Sequence, residues 1–71
     1  MRRLDELEIE ALTLFASGKT ADEMAVALGM SKSMALHYLR VAARKLGARN
    51  RVHAVAIAVQ KGLIKPPGAG A

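Results

Sequence analysis

The residues of this chain that are best suited to recognition chemistry lie between Lys32 and Arg44. Side chains three and four positions apart share a face of a helix. The side chains that share a face here are Ser33, Leu36, His37, Arg40 and Arg44, with Lys32 at the helix start. Such a mostly polar and basic surface can be presented to a DNA major groove. The alternative is an ordinary solvated face, since surface helices commonly carry Lys and Arg.

Charge is segregated along the chain, and this favours nucleic acid as the partner. The formal net charge is +5; all six acids lie between Asp5 and Glu23, whereas eight of the eleven Lys and Arg residues lie from Lys32 onward. A second half that carries only positive side chains attracts a phosphate backbone through counterion release. Only Phe15 and Tyr38 are aromatic, too few for a stacking platform. We therefore expect duplex DNA rather than a single strand.

The elements that position this face read as a helix-turn-helix. Thr20 and Glu23 have the spacing of a capping box, which predicts a helix from about Ala21 that ends at Gly29. Ser31 is a suitable N-cap for a next helix from about Lys32 to Leu46, so the connection is a very short turn. In the second helix of this pair, one line of small or aliphatic residues is expected to pack inward. These residues are Ala35, Leu39, Ala42 and Leu46.

The whole chain predicts an all-α fold of four helices with no strands. Asp5 and Glu8 repeat the capping-box spacing, so helix one should run from about Glu6 to Ser17. Its apolar stripe comprises Leu7, Ala11, Leu14 and Phe15. Asn50 should cap a fourth helix that ends near Gly62, after which Leu63 and Ile64 fold back onto the core. One domain is expected over residues 1–64, followed by a flexible tail over residues 65–71.

Several functional classes are not supported by the residues present. Cysteine is absent, and His37 and His53 lack the spacing of a metal site. The acids are expected at helix starts or on an outer face without a paired nucleophile, so neither an enzyme nor a cofactor is expected. The longest apolar run, Ala54 to Val59, is too short to span a bilayer, and no signal peptide is recognisable. A cytoplasmic protein is expected.

The order of these residues resembles the LuxR-type, or GerE-type, DNA-binding domain, over residues 4–64. The matching positions are Leu4, Asp5, Glu8, Gly18 to Thr20, Glu23 to Ala25, Leu28 to Ser31, Lys45 to Gly47, Arg51, Ala54, Val55, Ala58 and Gly62 to Ile64. Each piece alone is weak, but their order and spacing together are specific. The resemblance implies a four-helix transcription regulator whose third helix enters the major groove and whose fourth helix forms a two-fold dimer contact.

The resemblance also implies roles for individual residues. Leu36, His37 and Arg40 match positions that touch base edges, and an arginine at position 40 can make a bidentate contact with guanine. The alternatives are a phosphate clamp or a free surface charge for Arg40 and a surface position for His37. Phosphates are met in the family from the starts of helices three and four and from the helix-two region.

Three positions depart from the family pattern. Leu36 stands where a basic residue is frequent; an exposed leucine could meet a thymine methyl, could be inert, or could face a protein. Met34 replaces a frequent threonine, so one phosphate contact is expected to be missing. Tyr38 replaces a frequent histidine, and its hydroxyl offers another contact. The operator should therefore differ from those of relatives with Lys or Arg at position 36.

The remaining basic and polar residues are better suited to phosphate than to base recognition. They are Lys32, Ser33, Arg44, Arg49 and Arg51. Arg51 could equally pair with an acid of helix one such as Glu8. Lys19 and Thr20 lie at a helix N-terminus, which favours phosphate, although capping is the simpler role.

Helix four is more apolar than one buried stripe requires, which indicates a second interface. By resemblance this is an isologous dimer contact that sets two recognition helices on half-sites about one helical turn apart. The residues expected near it are His53, Ala56, Ile57 and Gln60. The alternative is that these side chains only cover the core and the tail.

Two other functional interpretations stay open at this point. The same helices could form a protein-interaction module that modulates a LuxR-type regulator, or the chain could be the output domain of a larger regulator. Within the family the quorum-sensing group is most similar, and its N-terminal domain binds an acyl-homoserine lactone, for which these residues offer no pocket. Another transcription regulator or RNA polymerase would be a further partner beside DNA and a second copy.

Overall fold

The computed structural model describes residues 3–65 and contains four α-helices in this part of the chain. They are α1 (Glu6–Ala16), α2 (Ala21–Leu28), α3 (Lys32–Lys45) and α4 (Arg51–Gln60). No strand occurs within residues 3–65. The predicted all-α, four-helix fold is confirmed, and the predicted helix bounds differ from these by two residues at most. The expected tail falls mostly on residues 66–71, which lie outside the described residues.

Local sequence signals set the helix starts. Glu23 Oε1 accepts the backbone N–H of Thr20 at 2.8 Å, and Thr20 Oγ1 accepts the N–H of Glu23 at 3.1 Å, which completes the predicted capping box. Ser31 Oγ accepts the N–H of Met34 at 3.1 Å at the start of α3. Gly29 ends α2 with a φ of 67°, a left-handed conformation that glycine adopts without steric cost. The connection between α2 and α3 is therefore as short as predicted.

Helix α3 is the centre of the fold. It packs against α1, α2 and α4, whereas α2 and α4 do not contact each other. Its predicted inward line is confirmed, since Ala35, Leu39, Ala42 and Leu46 are all buried. Because every other helix contacts α3, packing in the core fixes the orientation of the outward face of α3.

The core is built largely from small side chains. Seven of its twelve buried apolar residues are alanine, among them Ala11, Ala35, Ala54 and Ala58. The largest fully buried side chains are Leu12, Met24 and Leu39. Small residues let helices approach closely, so backbone contact contributes much of the packing.

Helix α1 presents a different apolar stripe from the one predicted. Leu12 is fully buried, while Leu7 is 37% exposed. Ala11 is buried as expected, and Leu14 and Phe15 are half-buried against the core. The prediction followed one line of the helix, whereas α1 touches α2, α3 and α4 and so buries a wider arc that reaches Leu12. At the other end of the described chain, Ile64 is buried and Leu63 half-buried, which confirms the predicted fold-back.

A buried ion pair joins α1 to the end of α3. Glu8 is only 2% exposed, and its Oε1 accepts from Lys45 Nζ at 2.9 Å and from the backbone N–H of Asp5 at 2.8 Å. Lys45 Nζ also donates to the carbonyl oxygen of Arg3 at 3.3 Å and lies 3.9 Å from Asp5 Oδ2. Glu8 lies in the first turn of α1, as expected for the acids, but its burial against Lys45 was not expected from the sequence.

The pKa of Glu8 reflects two opposing effects. Burial raises the pKa of this carboxyl, but the hydrogen bonds from Lys45 and from the Asp5 N–H, with the charge of Lys45, outweigh burial and leave the pKa below its ordinary value of 4.5. The carboxylate is consequently ionised at neutral pH, as the ion pair requires.

The possible pairing of Arg51 with Glu8 is wrong. Glu8 is occupied by Lys45, and the guanidinium carbon of Arg51 instead lies 5.8 Å from the centroid of the Phe15 ring. A guanidinium at this distance from an aromatic ring is attracted by the ring quadrupole. The start of α4 is thus connected to the end of α1 through a cation–π contact rather than an ion pair.

Replacing Glu8 by glutamine should destabilise the chain and change its pH dependence. At pH 7 we expect Glu8→Gln to lower the free energy of unfolding by about 2 kcal/mol, the scale of a hydrogen bond to a charged group. Since the folded pKa of Glu8 is depressed, its stabilisation is complete above the ordinary value of 4.5 and is lost as pH falls through the lower folded value. The difference between wild type and variant in urea denaturation should shrink on acidification.

The matched control is Glu10→Gln, because Glu10 is an exposed acid of the same helix. That variant should unfold within about 0.5 kcal/mol of wild type. A Glu8→Gln variant as stable as the control at pH 7 would contradict the role assigned to the ion pair.

Candidate nucleic-acid interface

The outward face of α3 displays most of the side chains singled out from the sequence. Lys32, Ser33, His37, Arg40 and Arg44 are all exposed. Ser33, His37, Arg40 and Arg44 project from the side of α3 opposite to its buried alanines and leucines, because the two sets differ by about half a helical turn. Lys32 is exposed because it begins the helix, although its helical position is nearer to the buried side. The structure therefore brings four of the five predicted residues together on one face, with Lys32 at the helix start.

A groove separates this face of α3 from the start of α4. Its volume is about 500 Å³, and four of its lining residues are arginines: Arg40 and Arg44 from α3, Arg49 from the turn, and Arg51 from α4. The other lining residues are Leu36, Leu39, Ala43, Ala48 and Asn50. No acid lines the groove, so every charged side chain in its lining is positive, which suits a polyanion.

Local hydrogen bonds hold the turn that carries two of these arginines. Asn50 Oδ1 accepts the backbone N–H of His53 at 2.8 Å, which confirms the predicted cap of α4. His53 Nδ1 in turn accepts the backbone N–H of Arg49 at 3.1 Å. The backbone that leads into Arg49 and Arg51 is thereby fixed relative to α4, although both side chains remain exposed. The involvement of His53 in this turn was not expected from the sequence.

Leu36 occupies the edge of this surface and not its centre. It is half-buried, packs against the core and lines the groove beside Arg40. The expectation of an exposed leucine is therefore wrong in degree, because one side of Leu36 packs against the core. Part of the side chain still faces the groove.

Tyr38 lies on the other flank of α3 and contacts a predicted base-reading residue. Its ring meets that of His37 edge to face, with centroids 5.8 Å apart and an interplanar angle of 66°. Aromatic pairs prefer this arrangement, so Tyr38 restricts the rotamers of His37. Tyr38 is half-buried, whereas His37 is exposed.

The start of α2 is occupied by its own cap. The Thr20 N–H and hydroxyl both bond to Glu23, and the hydrogen bonds from Thr20 lower the pKa of that exposed carboxyl. A carboxylate at this place reduces the attraction of the helix N-terminus for phosphate. Capping is the role of Thr20 that the structure shows, while Lys19 beside it is exposed.

One basic residue of α3 is withdrawn from the surface. Lys45 belongs to the last turn of the helix, but its side chain is 13% exposed and points to Glu8. Helical position explains this, since Lys45 lies on the flank of α3 that faces α1. The sequence contained a usable signal in the match of Glu8 and Lys45 to family positions, yet their pairing was not predicted.

The four residues expected at a dimer contact do not share one environment. His53, Ala56 and Gln60 are exposed along one line of α4, while Ile57 is half-buried and packs against the core. Val52, which was not singled out, lies beside this line and is 69% exposed. The free apolar surface of α4 is therefore centred on Val52 and Ala56, with Ile57 at its edge.

Other types of site are not evident in the described part of the chain. Within residues 3–65, no three His, Cys, Asp or Glu side chains are grouped so that they could hold a metal ion. Over the same residues, no helix combines the length and apolarity needed to cross a bilayer.

The chain matches the GerE family model, described as bacterial regulatory proteins of the luxR family, over residues 3–58. It is 42% identical over 64 residues to the transcriptional activator protein BjaR1 of Bradyrhizobium diazoefficiens, which covers 90% of this chain and 26% of that protein. It is 46% identical over 63 residues to the HTH-type quorum sensing-dependent transcriptional regulator RpaR of Rhodopseudomonas palustris, covering 89% of this chain and 26% of RpaR.

A relative of another kind is also similar. The response regulator RamR of Streptomyces coelicolor is 40% identical over 55 residues, which is 78% of this chain and 27% of RamR. The chain thus spans about a quarter of the length of the curated relatives that it matches. The four helices, the basic surface around α3 and these similarities agree: the chain belongs to the luxR family of bacterial regulatory proteins, as a helix-turn-helix domain of DNA-binding transcription regulation.

Proposed function

We propose that this chain binds specific sequences of duplex DNA by inserting α3 into the major groove, and that it does so as a two-fold dimer. The observation that carries the proposal is the acid-free surface formed by the outer face of α3 and the four-arginine groove beside it. An α-helix fits the major groove of B-form DNA, and positive side chains on both sides of it can meet the two flanking phosphate backbones. Because bacterial chromosomal DNA lies in the cytoplasm, the proposal includes that location.

Base reading is assigned to the middle of α3. Arg40 and His37 are exposed one turn apart or less, and both extend from the helix toward solvent. Arg40 is suited to a bidentate contact with guanine O6 and N7. His37, restrained by Tyr38, offers a directed hydrogen bond to a neighbouring base. The free part of Leu36 offers an apolar contact to a thymine methyl at the groove edge.

Phosphate binding is assigned to the periphery of the surface. Arg44 of α3, Arg49 of the turn and Arg51 of α4 line the groove, and their positive charges suit a phosphate backbone. At the start of α3, Lys32 and Ser33 are exposed beside helix N–H groups, which favour anions. Thr20 is a weaker candidate, since its backbone and hydroxyl are already bonded to Glu23.

Dimerisation is assigned to the free face of α4. His53, Ala56 and Gln60 form its exposed line, Val52 lies beside it, and Ile57 is at its edge. A two-fold contact places the same patch of both copies face to face, so apolar Ala56 and Val52 can cover each other. Relatives bear the names of transcriptional activators and a quorum sensing-dependent regulator, and a role in such regulation is part of the proposal.

Selection of random duplex DNA by the purified chain should enrich a two-fold symmetric site. On that site we expect Arg40→Ala to weaken binding about 10- to 100-fold, because a bidentate arginine–guanine contact discriminates by about 1–3 kcal/mol. The loss should be confined to one base position in each half-site. The measurement is fluorescence anisotropy with the selected duplex and single-base variants of it.

The matched control for this prediction is Arg44→Ala, on the same helix and equally exposed. It should weaken binding to every sequence alike and lower the salt dependence of the affinity by about one counterion. If Arg40→Ala loses affinity but keeps its base preference, Arg40 binds phosphate and does not read bases. Failure to enrich any site, with no salt-dependent affinity, would overturn DNA recognition and favour a protein-interaction module.

A charge placed on the free face of α4 should disrupt the dimer without unfolding the domain. We expect Ala56→Glu to bind a single half-site as wild type does and to lose cooperative binding to the full site, since two like charges would face each other across the two-fold axis. The exposed position and the good helix propensity of glutamate should keep the fold intact. Stoichiometry on full and half sites can be measured by analytical ultracentrifugation. The control is Thr13→Glu, which makes the same change of charge at an exposed position of α1 and should leave cooperativity unchanged. Equal cooperativity in both variants would contradict an α4 dimer.

A further inference from the structure

Two shallow depressions adjoin on α2. One, of about 250 Å³, lies between α1 and α2 and is lined by Glu10, Thr13, Leu14, Ala27 and Leu28. The other, of about 420 Å³, lies on the outer face of α2 and the turn before it and is lined by Lys19, Asp22, Glu23, Val26 and Ala27. Ala27 lines both, and we call the pair the α1–α2 furrow.

The α1–α2 furrow has an unpartnered apolar side chain at its margin. Val26 is 84% exposed, the highest exposure among the large hydrophobic residues of the described chain. Leu14 and Leu28 are half-buried beneath the furrow and provide an aliphatic floor. Val26 and this floor therefore offer a small apolar surface with a polar rim.

The charge of the α1–α2 furrow is opposite to that of the rest of the molecule. Its rim carries Glu10, Asp22 and Glu23 against the single base Lys19, in a chain whose net charge is +5. Glu23 bonds to the cap of α2, whereas the side chains of Glu10 and Asp22 form no ion pair or hydrogen bond within residues 3–65. Asp22 lies beside the exposed Val26, and Glu10 lies beside the half-buried Leu14 and Leu28, so each unpaired carboxylate adjoins apolar surface and suits a partner that is both basic and apolar.

The α1–α2 furrow is independent of the DNA-binding surface. All its lining residues belong to α1, α2 or the turn before α2, and none belongs to α3 or α4. The furrow and the four-arginine groove therefore have no lining residue in common.

We propose that the α1–α2 furrow docks a basic amphipathic helix of another protein. An aliphatic side chain of that helix would pack against Val26 and the Leu14–Leu28 floor, while Lys or Arg side chains one turn away would meet Glu10 and Asp22. Helix-in-groove recognition places apolar anchors three or four positions apart, and complementary charges select the partner and its orientation. The proposal does not depend on DNA recognition by α3.

A display library of random peptides tests this directly. The immobilised chain is the target, and a Glu10→Gln, Asp22→Asn, Val26→Ser triple variant removes every peptide that binds elsewhere. We expect the surviving peptides to combine Lys or Arg with aliphatic residues at helical spacing. Survivors that are acidic or lack apolar anchors would overturn the proposal, as would an absence of survivors.

Single variants then assign the contacts, with one synthetic consensus peptide as the probe. Val26→Ser should weaken peptide binding about tenfold, as expected from loss of one buried aliphatic group. Glu10→Gln and Asp22→Asn should each weaken it and reduce its salt dependence. Val52→Ser and Glu6→Gln are the matched controls, because they change an exposed valine and an exposed acid outside the furrow, and both should bind the peptide as wild type does.

Two further measurements separate this proposal from its alternatives. The furrow variants and Glu6→Gln are at exposed positions, and their circular dichroism and affinity for duplex DNA should match those of wild type, so that any DNA-binding defect of the chain would be recognised separately. Val52→Ser serves as a control for peptide binding only, because Val52 lies at the proposed dimer contact. In sedimentation of the chain alone, Val26→Ser and wild type should self-associate to the same extent. Weaker self-association of Val26→Ser would assign the furrow to a second copy and overturn the proposal.

Discussion

The carboxylate of Glu8 connects the interactions on which this small domain depends. One oxygen accepts both the backbone N–H at the start of α1 and the ammonium group of Lys45 at the end of α3. A buried carboxylate is tolerated only when it is paired and hydrogen-bonded, and here a single side chain satisfies both conditions. Since α3 also carries the proposed DNA-binding face, the Glu8–Lys45 contact helps to fix the orientation of that face relative to α1.

The exposed charges are separated between the helices. No acid lines the groove that the four arginines form. The exposed acids lie on α1, on α2 and at Asp5, the cap of α1. The Glu8–Lys45 pair does not alter this separation, because it withdraws one acid and one base together from the surface.

Sequence patterns were sufficient for the elements and insufficient for several contacts between them. The caps at Thr20, Ser31 and Asn50 were predictable because capping depends on residues two or three positions apart. The Glu8–Lys45 pair joins residues 37 positions apart, and the approach of Phe15 to Arg51 depends on how α1 meets α4. Neither contact follows from helical periodicity.

On the outward face of α3, too, local features were predictable from the sequence and tertiary contacts were not. Its exposed members were predictable because helical spacing alone separates His37, Arg40 and Arg44 from the buried alanines of α3. The partial burial of Leu36 was not, since it depends on tertiary packing against the core. Likewise, Ile57 was expected at the dimer contact but is half-buried, whereas Val52, which was not among those residues, is exposed. The packing of α4 against the other helices decides which of its residues face solvent.

The alanine-rich core has a consequence for how such a domain can change its specificity in evolution. Alanine has no side-chain rotamers to rearrange, and any larger residue at these close helix contacts would overpack the interior. The crossing angle of α3 is therefore difficult to vary by small steps. New operator preferences are more accessible through exchange of exposed side chains on α3, a surface that can diverge while the scaffold beneath it stays the same.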